Sequence, residues 1–162
     1  MRARAFPCGS GRALAGAVLA AVLAGPVAAQ TATPAARGAE IFASVCFACH
    51  GAQGQGTAGI APALAGPLSP ALARPEGRGY VLRVLLHGLS GRIVSQGQTF
   101  VGAMPSQAAL SDADLVALGT HLTALNGQTG APFDAAEVAT ARAESPAPSH
   151  KALRELRARV MP

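Results

Sequence analysis

The sequence predicts a mainly helical domain, and three observations predict it. Apolar residues recur three and four apart in separate segments, the spacing of one helix face. Strand-like patterning is confined to one minor hairpin. The long irregular stretch, Gly51 to Pro70, is dense in Gly and Pro and reads as a loop.

The chain has 162 residues, enough for one domain plus appendages. Half the residues are apolar, but aromatics make up only 4% and Trp is absent, so the side chains alone bury little area each. An apolar bound group would relieve that shortage of core surface. The formal charge of +5 overstates the working charge. Arg2, Arg4 and Arg12 fall in a segment expected to be removed, which leaves ten basic and eight acidic side chains, or +2. That balance does not suit a nucleic-acid-binding protein.

Residues 1–29 read as a cleaved signal peptide. Three arginines form a positive start, Leu14 to Ala24 is a short apolar run, and Val27-Ala28-Ala29 fits a small-residue cleavage site, with the cut before Gln30. A membrane span needs about 20 apolar residues. The stretch Ala13 to Ala29 is shorter and contains Gly16, Gly25 and Pro26. Export places the protein in the periplasm, with no transmembrane segment after cleavage. Cys8 leaves with the signal, so two cysteines remain.

Those two stand in Cys46-Phe47-Ala48-Cys49-His50, the attachment signature of a c-type haem. On a helix the two thiols and the imidazole share a face. The alternatives fit less well. A Cys-x-x-Cys disulfide closes too small a loop to stabilise much, and a zinc site needs about four ligands, two of them recruited from His50, His87 and His121. The His directly after the second Cys is what haem attachment requires and the others do not.

Taken in order, Gln30 to Ala36 is a polar lead-in, and Arg37 to Cys49 is a helix with Ala39, Phe42, Ala43 and Cys46 on its apolar side. Gly38 in that helix suggests close approach by another helix or a frayed start. The loop Gly51 to Pro70 is expected to run under the haem on the His50 side, with Ile60, Pro62 and Leu64 covering the ring. One of its carbonyls is the natural acceptor for the second N–H of His50. Gly79 to His87 is a second helix, ended by Gly88. Ile93 to Phe100 reads as a hairpin with arms of about three residues around Gln96-Gly97. Met104, far from His50 in sequence, can reach the opposite face of a flat ligand, and Pro105 holds it extended. Its thioether is a soft ligand suited to haem iron. Ser111 to Asp114 is a capping box with Asp in the place of Glu. Leu115, Leu118, His121, Leu122 and Leu125 follow at helical spacing to Gly127. His121 reads as a packed or partly exposed side chain rather than a ligand. Beyond Gly130 come a helix from Asp134 to Arg142 and, after Pro146 and Pro148, a basic amphipathic segment capped by Ser149.

From Ala36 to Gly127 the chain resembles the class I c-type cytochromes. The resemblance rests on Gly38 to Phe42 (G-x-x-x-F), Cys46 to Gly51 (C-F-A-C-H-G), Ala61 to Leu64 (A-P-A-L), Ala103 to Pro105 (A-M-P) and the helix opening at Ser111-Asp112. The string from Val84 to Leu89, then Gln98 and Met104, is similar to cytochrome domains of bacterial periplasmic dehydrogenases and oxidases. The resemblance implies a small all-α fold of three main helices around one haem c, the first crossing the last near Gly38 and Phe42. It implies thioethers at Cys46 and Cys49, axial ligands His50 and Met104, and the Pro62 carbonyl accepting from His50. One departure stands out: the closing helix in this family often carries an aromatic where this chain has His121, which leaves the expected interhelical contact smaller.

These readings divide the chain into a signal at 1–29, a cytochrome c domain at 30–130, and a helical, partly disordered extension at 131–162. The function expected is electron transfer without a substrate, between a redox donor and acceptor such as a periplasmic dehydrogenase or a terminal oxidase or reductase. No acid–base or nucleophile constellation is present. Arg74, Arg78, Arg83 and Arg92 are the candidates to pair with haem propionates or to form a basic rim. Two rival readings remain: a subunit of a dehydrogenase or reductase complex, and an open-site haem enzyme or gas sensor using His87 or His121.

Overall fold

The computed structural model describes residues 33–128 and 133–161, so the signal peptide, its cleavage site and Cys8 lie outside the described residues. The first helix, α1 (Pro34–Ile41), opens with Pro34 in its first turn, and the Thr33 hydroxyl accepts from the Ala36 N–H. It runs without a break into a π-helical turn, Phe42–Cys46, and then into α2 (Phe47–His50). The expected single helix from Arg37 to Cys49 is therefore continuous but not uniform. Residues four apart drift about 40° around an α-helix of 3.6 residues per turn. A wider turn cancels that drift and keeps Phe42, Cys46 and His50 on one buried face.

Gly51, at φ +76°, ends α2 and starts the loop. The loop doubles back on itself: Gly56 donates to the His50 carbonyl at 2.8 Å, Leu64 donates to the Gly54 carbonyl at 2.7 Å, and Thr57 pairs with Ala61. Gly56 has to be glycine, because its φ is +79° and a Cβ there would lie 2.6 Å from the Ala63 nitrogen. The last two residues of the expected loop, Ser69 and Pro70, belong instead to a short helix, α3 (Ser69–Leu72).

The next helix, α4 (Pro75–His87), starts a turn earlier than the periodicity suggests, because Pro75 is preorganised for a first helical position. It delivers the chain into a hairpin, β1 (Leu89–Ser95) paired antiparallel with β2 (Gln98–Met104), Leu89 opposite Met104 and Ile93 opposite Phe100. The domain is therefore helical but not all-α. The arms are seven residues each, more than twice the expected length. Gln96 and Gly97 both have positive φ, as a two-residue turn of this hand requires.

The closing helix, α5 (Asp112–Leu125), is capped by Ser111, whose hydroxyl accepts from the Asp114 N–H at 3.1 Å. Asp114 turns to the Arg37 guanidinium, 2.8 Å away, and ties α5 to α1; that cation holds its carboxyl below the usual range. Ser111→Ala should cost about 1 kcal/mol, read as a lower denaturant midpoint with an unchanged slope.

Two further helices follow: α6 (Ala135–Arg142), opened by a reciprocal Asp134/Glu137 capping box, and α7 (His150–Val160), capped by Ser149. Both pack on the rest of the domain. Val138, Ala141 and Val160 join the apolar cluster that contains Leu82, Leu115 and Leu118, and Phe133 lies over Gly119. Arg78 pairs with Glu137 at 2.8 Å, Arg83 with Glu144 at 2.5 Å, and Arg142 with Asp112 at 2.8 Å. Arg154 donates to the Ser90 carbonyl, which fixes α7 against β1. No helix among the described residues is long and apolar enough to cross a membrane.

Candidate haem site

The helices, loop and hairpin line an open-sided apolar cleft. Cys46 and His50 enter it from the first helical run, Pro62 and Leu64 from the loop, and Tyr80 and Leu85 from α4. Phe100 and Met104 enter from β2, and Leu118 and Leu122 from α5. Among the sequence-derived site residues, the fold brings Cys46, His50, Pro62 and Met104 to this one cavity. Cys49 is exposed and does not line it.

His50 is buried, and its Nδ1 lies 2.9 Å from the Pro62 carbonyl oxygen. A carbonyl oxygen only accepts, so the proton sits on Nδ1 and the Nε2 lone pair is left for a metal. Burial is the larger influence on this imidazole and pushes its pKa down; the Pro62 bond opposes it in part. The net effect keeps the ring in the neutral form that ligates. Burial also pushes the Cys46 thiol up to about 11.

Two residues held in reserve as alternative ligands stand elsewhere. His121 sits at the crossing of α1 and α5, its ring 5.0 Å from that of Phe42 and tilted 50°. Burial holds its pKa below the ordinary value, so a neutral imidazole makes the interhelical ring contact that an aromatic was expected to supply. His87 does not line the cleft, and its Nε2 is buried without a hydrogen-bond partner. The expected propionate partners are also engaged away from it. Arg74 donates to the Val160 carbonyl, Arg92 to Thr99, and Arg78 and Arg83 bind the α6 carboxylate Glu137 and the following Glu144.

An apolar cleft with an imidazole nitrogen free on one wall and methionine thioethers on others fits a flat iron macrocycle. A family model described as cytochrome c oxidase, cbb3-type, subunit III matches residues 33–122. The chain is 39% identical over 118 residues to cytochrome c-552 of Thermus thermophilus, an alignment covering 70% of this chain and 89% of that protein. It is 37% identical over 118 residues to a cytochrome c-552 from a named strain of the same species, covering 70% of this chain and 79% of that protein. The chain belongs to the class I c-type cytochromes.

As such a cytochrome it carries haem c and transfers electrons between redox partners. The cytochrome also uses cleft residues that sequence reasoning did not single out. Arg157 and Met161, both from the C-terminal end of α7, line the same cavity, and so does Tyr80, the chain's one tyrosine. The signal that could have found them was Arg157 itself: it shares the helical stripe of Leu153 and Val160, four residues after one and three before the other.

Proposed function

We propose that this protein is a periplasmic mono-haem electron carrier, with thioethers at Cys46 and Cys49 and with His50 and Met104 as axial ligands. The haem supplies the one-electron Fe(III)/Fe(II) couple. The observation that carries the reading is the pair of donors in one apolar cavity: an imidazole pinned through Pro62 so that Nε2 is the free nitrogen, and a thioether from β2. Cys46 stands inside the cavity and Cys49 on the exposed side of the same helix, three residues on, so one edge of the macrocycle is held near solvent. Electrons then have a short path to a partner, while the apolar walls exclude water from the metal. The Pro62 bond orients His50 and increases its basicity, and a Met ligand raises the potential. The periplasmic location is supported by the signal-like pattern of residues 1–29, and the mature protein should begin at Gln30.

Both Met104 and Met161 line the cavity, so ligation by Met104 is open to direct test. Met104→Leu should abolish the weak long-wavelength band of Fe(III)–thioether ligation, let carbon monoxide bind the reduced protein, and lower the potential by ~0.1 V or more within the ~0.8 V that axial ligands span. Met161→Leu should leave all three unchanged. The reverse pattern would assign the iron to Met161 and overturn the ligand set.

A second reading, a cytochrome subunit of an oxidoreductase complex, is favoured by the match to a model described as an oxidase subunit. Under that reading the protein co-purifies with a larger complex; as a free carrier it is recovered alone.

A further inference from the structure

Every arginine among the described residues has a carboxylate, threonine or backbone partner except Arg157. Arg157 is also the one cation among them that lines the haem cavity, and its polar neighbour there is the Tyr80 hydroxyl. The titratable groups facing the cavity are Cys46 and His50 from the first helical run, Tyr80 from α4 and Arg157 from α7. The loop, the hairpin and α5 contribute none. A half-buried guanidinium with no anion, beside an apolar cavity that takes a dianionic cofactor, is an unbalanced charge. Arg157 lies beyond residues 33–122 and so outside the span shared with the family model.

We propose that Arg157, with the Tyr80 hydroxyl beside it, binds one haem propionate, so that the C-terminal helix completes the cofactor site. A guanidinium can meet a carboxylate with two parallel N–H donors, and the low-dielectric walls strengthen that pair. Burial pushes the Tyr80 phenol up to about 12, against a smaller opposing influence from Arg157. Tyr80 therefore stays protonated and can donate. Arg154, bonded to the Ser90 carbonyl, holds the helix that carries Arg157 in place. The inference rests on the haem site proposed above.

The test is the midpoint potential of the haem-loaded protein measured across pH. An ionised propionate stabilises Fe(III), so the potential falls as pH rises through that group's titration. Paired with Arg157, the propionate should titrate below the ordinary carboxyl range of ~4, and the wild-type potential should be flat above it. Arg157→Gln should move the titration up by about 1–3 pH units and lower the potential at neutral pH. Tyr80→Phe should move it less, in the same direction. Arg157→Lys should restore most of the wild-type profile. Arg159→Gln, which removes an exposed charge from the same helix, should follow the wild type. The proposal fails if Arg157→Gln tracks the wild type, or if Arg159→Gln shifts the profile equally. If Arg157→Gln loses haem, the wild type decides, and a titration in the ordinary range or above it overturns the proposal. Loss of the thioether band in the wild type would instead strike the ligand set and leave the propionate pairing to the pH profile.

Discussion

Gly38→Ala should destabilise the folded protein by about 3 kcal/mol or more, an unusual penalty for one methyl group in a helix. In an isolated helix the same change is favourable by about 1 kcal/mol. Here a Cβ would lie 2.0 Å from the Ala117 carbonyl oxygen and 2.9 Å from the His121 Cβ, so α1 and α5 would have to separate. The Phe42–His121 ring contact and the Arg37–Asp114 ion pair span the same crossing and would be strained with it. Domains of this size have only about 5–15 kcal/mol in total, so Gly38→Val should leave little folded protein. Gly79→Ala is the contrast. A Cβ there meets only the end of the flexible Arg83 side chain, so the change should be neutral or stabilising by up to ~1 kcal/mol. Denaturant midpoints at constant slope distinguish the two. A Gly38→Ala protein as stable as the wild type would mean that α1 and α5 do not cross as closely as described. Because α1 runs on into Cys46 and His50, the same variant should also perturb haem incorporation.

Cys46→Ala with Cys49→Ala should abolish covalent haem and, with it, the cooperative thermal transition. The chain has few aromatics and much Ala, and its haem cleft encloses a cavity of about 140 Å³. At roughly 24 cal/mol per Å³ of space left unfilled, that volume corresponds to about 3 kcal/mol, a large share of the ~5–15 kcal/mol that stabilises a domain. The cofactor is thus part of the core as well as the redox centre. Circular dichroism on heating tests this: the wild type should melt in one sharp transition and the haem-free double variant in a broad, shallow one. A haem-free variant with the wild-type midpoint would show that the walls close without the cofactor.

The parts of the fold readable from sequence are local. The haem motif occupies five consecutive residues, the caps at Ser111 and Ser149 act within three residues, and the Gly/Pro loop declares itself through positive-φ glycines such as Gly56. In each case the physical cause lies within about one turn of chain, so the residue types and their spacing carry it. Gly38 is intermediate: its presence suggests a close approach, but only the fold identifies Ala117 as the neighbour.

Other features depend on residues far apart in the chain. The hairpin arms are poor strand formers, with Gly91 facing Gly102, and they extend to seven residues because Leu89, Ile93, Phe100 and Met104 line an apolar cavity. Arg78 and Arg83 look like propionate partners until Glu137 and Glu144 reach them across about sixty residues of chain. His121 looks like a lost aromatic until it packs against Phe42. Arg157 looks like one more charge on a basic tail until α7 docks and turns it into the cavity. By itself the sequence determined the cofactor's attachment motif, the main helical segments and most of the extent of the Gly/Pro loop, because these follow from short-range geometry. Only the tertiary structure decided which thioethers, cations and aromatic neighbours meet at the cleft, because a long-range contact depends on how the whole chain packs.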